Sequence, residues 1–80
     1  MPIMHYRFGM ATLDEYQWVY LTAHSCNDRR GHFHRIEDCP GLNTRGRRTP
    51  IVRRRLSWVM QHHNRSCMVC LGNLIQQFAR

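Results

Sequence analysis

His34 and Cys39 stand five positions apart in HFHRIEDCPGL, residues 32–42, and Cys67 and Cys70 form a Cys-x2-Cys pair in SCMVC, residues 66–70. Thiolate sulfur and imidazole nitrogen are the ligands that a tetrahedral zinc ion takes. Two residues between the cysteines let both sulfurs turn toward one point, so Cys-x2-Cys supplies half of such a site. His34 and Cys39 offer the other half, one at the end of a strand and one in the turn after it. The set reads His-x4-Cys, then 27 residues, then Cys-x2-Cys, and the cofactor it points to is one Zn2+. Other readings stay open. Cys26 can replace His34 in an all-cysteine site for zinc or iron–sulfur. His32 or His24 can supply the nitrogen. The thiols can also be small buried hydrophobes. His62 and His63 fall on the polar side of a short helix and are expected in solvent.

A chain of 80 residues is one domain. Its apolar core alone supplies roughly 3–5 kcal/mol, and domains this small often add disulfides, a metal or a partner. Four cysteines and six histidines favour the metal. The start, MPIMHYRFGM, has no charged region followed by a long apolar run, so no signal peptide is read there. No apolar run approaches the ~20 residues of a membrane span. A reducing, cytoplasmic setting is therefore expected, where Cys-x2-Cys reads as metal-binding or redox-active.

Twelve arginines and no lysine face five acidic residues, giving a net charge of +7. Arginine keeps its charge and forks onto phosphate or carboxylate oxygens. The expected partner is anionic: nucleic acid or an acidic protein surface, with no membrane. Arg45, Arg47, Arg48, Arg53, Arg54 and Arg55 cluster around one polar loop and one strand and are the candidate nucleic-acid contacts. Phe33, Trp18 or Tyr20 nearby offers a surface on which bases stack.

The elements that must position these groups follow from pattern. Residues 1–15 read as an N-terminal arm, in which TLDE at 12–15 fits a capping box opening a helical turn, with an irregular arm as the alternative. Residues 16–80 read as a single zinc-binding domain. YQWVYLTAH, 16–24, is a strand, NDRRG a turn and HFHRI, 32–36, the return strand of a hairpin. IVRRR, 51–55, is a third strand at an edge. Ser57 is the expected N-cap of a short helix WVMQHH. Asn64 stands where a helix ends in a left-handed residue. Leu71, Leu74, Ile75 and Phe78 fall at i, i+3, i+4 and i+7 and predict a C-terminal helix. The fold class is a small α+β zinc-stabilised domain with a short antiparallel sheet, a short helix, a Cys-x2-Cys knuckle and a C-terminal helix.

GHFHRIEDCPGL together with VRRRLSWVMQHHNRSCMVCL resembles a family of small zinc-binding domains patterned aromatic-His-x4-Cys-Pro-x-Leu, then a strand, a short helix and Cys-x2-Cys. That family is similar to the amino-terminal zinc domain of Ada-type methyl-phosphotriester repair proteins. Phe33, His34, Cys39, Pro40, Leu42, Trp58, Cys67 and Cys70 occupy the matching positions, and the resemblance spans residues 16–71. The family's glycine before Cys-x2-Cys is Asn64 here. In the repair domain four cysteines bind zinc, and the metal activates one thiolate as a methyl acceptor. This chain has His34 at the first ligand position, and an imidazole is not that nucleophile. The resemblance therefore implies a structural zinc without methyl transfer. Small zinc proteins of this style also occur in bacteriophages of GC-rich hosts, which the arginine bias matches.

Three function classes compete. A zinc-stabilised module binding nucleic acid draws on the arginines. A protein-interaction module regulating a host or partner protein draws on the same arginines with exposed aromatics. An enzyme would need an open metal position, and four protein ligands close the site. No catalytic residues are assigned.

Overall fold

The structure is a computed structural model, and it describes residues 2–27, 31–42 and 50–79. Among the described residues the chain is α+β, with seven short strands in three small sheets and one short α-helix. Strands β1 (Met4–Phe8) and β2 (Thr12–Asp14) pair antiparallel, and β7 (Leu74–Ala79) flanks β1 on its other side. Strands β3 (Trp18–Thr22) and β5 (Ile51–Arg55) form an antiparallel pair. Strands β4 (His32–Phe33) and β6 (Arg65–Ser66) run parallel for two residues each.

Alternation on β3 decides which side is core. Val19 and Leu21 are fully buried, while Trp18, Tyr20 and Thr22 point the other way and stay half-exposed. Tyr6 and Phe8 on β1 and Leu13 on β2 bury in the same cluster as Phe33, Leu56, Val59 and Leu71. Phe8 and Phe33 meet edge to face at 6.0 Å, the geometry their ring quadrupoles favour.

Several local expectations are corrected. The Thr12–Glu15 capping box does not form, because Thr12–Asp14 pairs with β1 as a strand. His34 meets Tyr20 in a single antiparallel bridge, so the return strand of the expected hairpin shrinks to β4 and its bridge. Helix α1 (Leu56–Gln61) has Arg55, not Ser57, at its N-cap position. The Gln17 and Glu15 carbonyls accept from the Leu56 and Ser57 amides, so tertiary contacts satisfy the first turn and no side-chain cap is needed. The left-handed residue is His63, with φ 62°.

The largest correction is the C-terminal segment. Leu74–Ala79 is a strand rather than a helix, with Met4 opposite Ala79 and Phe8 opposite Leu74. The Gly9 and Met10 amides bond to the Asn73 and Leu71 carbonyls and zip the two segments together from the turn onward. Of the apolar stripe only Leu71 is fully buried, while Leu74 and Ile75 are exposed. Gly72, at φ +84°, turns the chain into β7, and its backbone passes against Gly9.

Asn64 is buried, and its side-chain amide donates to the carbonyls of Ser25 and Gly31 at 3.1 and 3.0 Å. It thus ties the end of α1 to the loop before β4. Asn64→Ala removes both hydrogen bonds and leaves the Gly31 carbonyl with the Arg65 amide, at a cost of about 1–3 kcal/mol. Urea denaturation should show the unfolding free energy fall by that amount, as a lower midpoint with an unchanged slope.

Candidate metal centre and basic face

The β4–β6 pairing brings together two segments that are far apart in sequence. The Cys67 amide donates to the Phe33 carbonyl at 2.9 Å, which sets Cys67 beside His34. His34 is held in turn by two backbone hydrogen bonds to Tyr20, of 2.7 and 2.9 Å. Cys39 follows a turn closed by its own amide on the Ile36 carbonyl, and Leu42 closes the next turn on Cys39. After Cys67 the chain turns back sharply: the Leu71 and Gly72 amides both bond to the Cys67 carbonyl, and the Ser66 hydroxyl donates to the Gly72 carbonyl.

The result is a buried group of four ligand atoms, from His34, Cys39, Cys67 and Cys70, all within 4.8 Å of one another. The Cys39 and Cys67 sulfurs lie 3.8 Å apart, and the Cys70 sulfur is 3.9 Å from His34 Nδ1. Sulfurs bonded in a disulfide sit at about 2.05 Å, so these are free thiols. The group is able to hold a metal ion. An open cleft of about 330 Å3, lined in part by His34, Gly41 and Cys67, gives an ion a path to it.

Backbone amides point at the sulfurs. Arg35 N–H donates to Cys70 Sγ at 3.2 Å and Val69 N–H to Cys67 Sγ at 3.4 Å. Burial raises the Cys67 thiol, but the amides of Cys70 and Val69 and the neighbouring thiols outweigh it, so its pKa falls. Burial pushes Cys39 up to about 11, against the Gly41 amide that lowers it. Cys39 is thus protonated at neutral pH without a metal, and an ion must displace that proton to bind. His34 is lowered, chiefly by burial and secondarily by His32, which keeps its imidazole neutral and able to ligate. Gly41 lies against the cluster: a Cβ there would sit 3.3 Å from the His34 ring and 3.5 Å from Cys67 Sγ.

The alternatives left open by spacing lie elsewhere. Cys26 sits in a 3-10 turn, Ser25–Asn27, and packs on the core. His24 and His32 are exposed. None of the three belongs to the four-ligand group.

Arg45, Arg47 and Arg48 lie outside the described residues. Arg53, Arg54 and Arg55 lie on β5, where Arg55 is opposite Trp18 and Arg53 opposite Tyr20. Alternation places Arg53 and Arg55 on the outward face with Trp18. Their guanidinium carbons lie 4.5 and 3.7 Å from the Trp18 ring centroid. Arg54 reaches instead toward Trp58 on α1, at 5.6 Å, and Trp58 stacks on His62. Trp18, Val52, the three arginines and Trp58 line an open cleft of about 580 Å3. Phe33, a stacking candidate on sequence grounds, is buried and offers no such surface. The sequence places Trp58 in the short helix without assigning it to this face; Arg–Trp spacing across a strand and the following helix is the signal that could have found it.

Cys67→Ser should strip the metal from the chain and unfold it, while Cys26→Ser should do neither. Metal content per chain and far-ultraviolet circular dichroism check both. Loss of metal in Cys26→Ser with retention in His34→Ala would mean that the four-ligand assignment is wrong. Comparison with protein-family models, with curated proteins and with solved structures finds no match, so the reading of both sites rests on their own geometry.

Proposed function

We propose that the chain is a small, non-enzymatic zinc module that binds nucleic acid through its arginine-rich loop and β5 face. The zinc assignment is supported by distance. A tetrahedral ion with metal–sulfur bonds of ~2.3 Å sets its sulfurs about 3.8 Å apart, the separation found between Cys39 and Cys67. Three thiols and one imidazole suit zinc better than hard cations, which prefer oxygen. In this reading the segment Cys67–Leu71 is a knuckle, and the four protein ligands leave no position for a reacting water. The ion brings +2 and the three thiolates −3, so the chain's +7 falls only to +6.

The observation that carries the nucleic-acid reading is the Arg53–Arg54–Arg55 run over two indoles on one open face. Arg55 also donates to the Tyr16 carbonyl and Arg54 to the Arg53 carbonyl, which leaves most of their five donors for a ligand. Each phosphate contact on duplex DNA contributes a log–log salt slope of about −0.9, and about −0.7 on single strands. Four contacts would give about −3 to −4. Neutralising Arg53, Arg54 and Arg55 together should flatten the slope and leave zinc content unchanged. A protein-interaction reading draws on the exposed Met68, Val69, Leu74 and Ile75. It expects no binding to random nucleic acid at physiological salt and a stable complex with one acidic protein; that outcome, with zinc present, removes the nucleic-acid reading.

The resemblance to Ada-type zinc domains is carried by residues that now form one site, His34, Cys39, Cys67 and Cys70, and it extends to Pro40 and Leu42 in the turn between. With His34 in the first ligand position, methyl transfer is not expected. Incubation with methyl-phosphotriester DNA should leave the intact mass unchanged; a stable gain of one methyl on a ligand cysteine would refute a purely structural site.

A further inference from the structure

We infer that the cleft between Trp18 and Trp58 is a base-stacking slot, and that the nucleic acid this chain takes is single-stranded. The inference rests on the nucleic-acid reading above and names the substrate of the same face. Both indoles are half-exposed and line one open cleft together with Val52. Its volume, about 580 Å3, falls in the range of ligand sites, roughly 300–1,000 Å3. Among the described residues no acidic side chain lines it, and the charged groups that do are Arg53, Arg54 and Arg55.

The arginines mark where a base belongs. A guanidinium is flat, and those of Arg53 and Arg55 lie over the Trp18 ring, 4.5 and 3.7 Å from its centroid, within cation–π reach. An exposed cation–π pair is weaker than a base stacked on an aromatic ring. An arriving base therefore displaces a guanidinium. The freed arginine, on its long stem, turns outward to the phosphate that came with the base. Stacking and phosphate neutralisation thus occur in one exchange, and neither requires a particular base. A duplex keeps its bases in its own stack, and presenting one to this cleft demands extrusion at a cost. An unpaired strand offers its bases directly.

The chain has two tryptophans, and both line this cleft, so fluorescence excited selectively at tryptophan reports on it. The full chain is titrated at low salt with a short oligothymidylate, an abasic oligodeoxynucleotide of the same length, and a duplex of equal phosphate count. Oligothymidylate should quench the fluorescence and bind about tenfold or more tighter than the abasic strand. The abasic strand and the duplex should bind through phosphates alone, without quenching. Equal affinity for the base-bearing and abasic strands, or equal quenching by the duplex, overturns the stacking slot and leaves phosphate binding standing. Absence of binding by all three overturns the nucleic-acid reading itself. Trp18→Leu should abolish the advantage of oligothymidylate over the abasic strand. If that variant does not fold, the three-ligand comparison on the unaltered chain decides alone.

Discussion

The hydrogen bond from the Cys67 amide to the Phe33 carbonyl is the constraint on which the rest depends. It joins two segments far apart in sequence at the two-residue β4–β6 pair, and it sets the Cys-x2-Cys turn against His34. Such a short parallel pairing has little stability of its own. It persists because both ends are pinned: Asn64 holds the approach from α1, and the amides of Leu71 and Gly72 hold the turn that follows. Phe33, one residue before His34, is almost wholly buried, so the same strand plants one side chain in the core and delivers the next to the thiols.

Strand β3 links this centre to the basic face. Its Tyr20 backbone holds His34, its Val19 and Leu21 fill the core, and its Trp18 lies under Arg53 and Arg55. Period-two alternation thereby separates three jobs on five residues. The repulsion expected from three consecutive arginines is moderated by the same geometry. Arg53 and Arg55 point outward while Arg54 turns toward Trp58, and each guanidinium rests near an indole. Exposed pairs of this kind are worth only about 0.5–1 kcal/mol each, enough to hold a side chain near a ring and too little to prevent exchange with a ligand.

The sequence made the four-residue group legible, because Cys-x2-Cys and His-x4-Cys each describe a local turn whose geometry depends on few neighbours. Strands β3 and β5 were legible for a similar reason, their β-branched and aromatic content. The C-terminal segment was not. Leu71, Leu74, Ile75 and Phe78 satisfy a helical period, but the period only counts if the stripe has a core to face. In the fold the core takes Leu71, and β1 offers Leu74–Ala79 a ladder of backbone partners with one register shift, at Ile75. Tertiary pairing overrode the pattern. Asn64 misled in another way: its type suits a left-handed cap, and its neighbour His63 adopts that backbone instead, freeing the Asn64 amide to clamp two carbonyls. Side-chain hydrogen bonds to residues more than thirty positions away have no local signature.

A chain this small leaves the balance between core and cluster uneven. The core supplies roughly 3–5 kcal/mol, whereas apparent binding of structural zinc to small domains is of order 10 kcal/mol at neutral pH. With the proposed ion bound, the larger share of the stability acts at His34, Cys39, Cys67 and Cys70, and reaches the basic face through Tyr20 and β3. The order of the two tryptophans is then downstream of the metal: Trp18 depends on β3 keeping its register with β5, and Trp58 on α1 being anchored by the Gln17 and Glu15 carbonyls just before that strand. In the proposed function the arginines carry the charge that attracts the partner, while the metal held by the thiols and the imidazole keeps the face that receives it in shape.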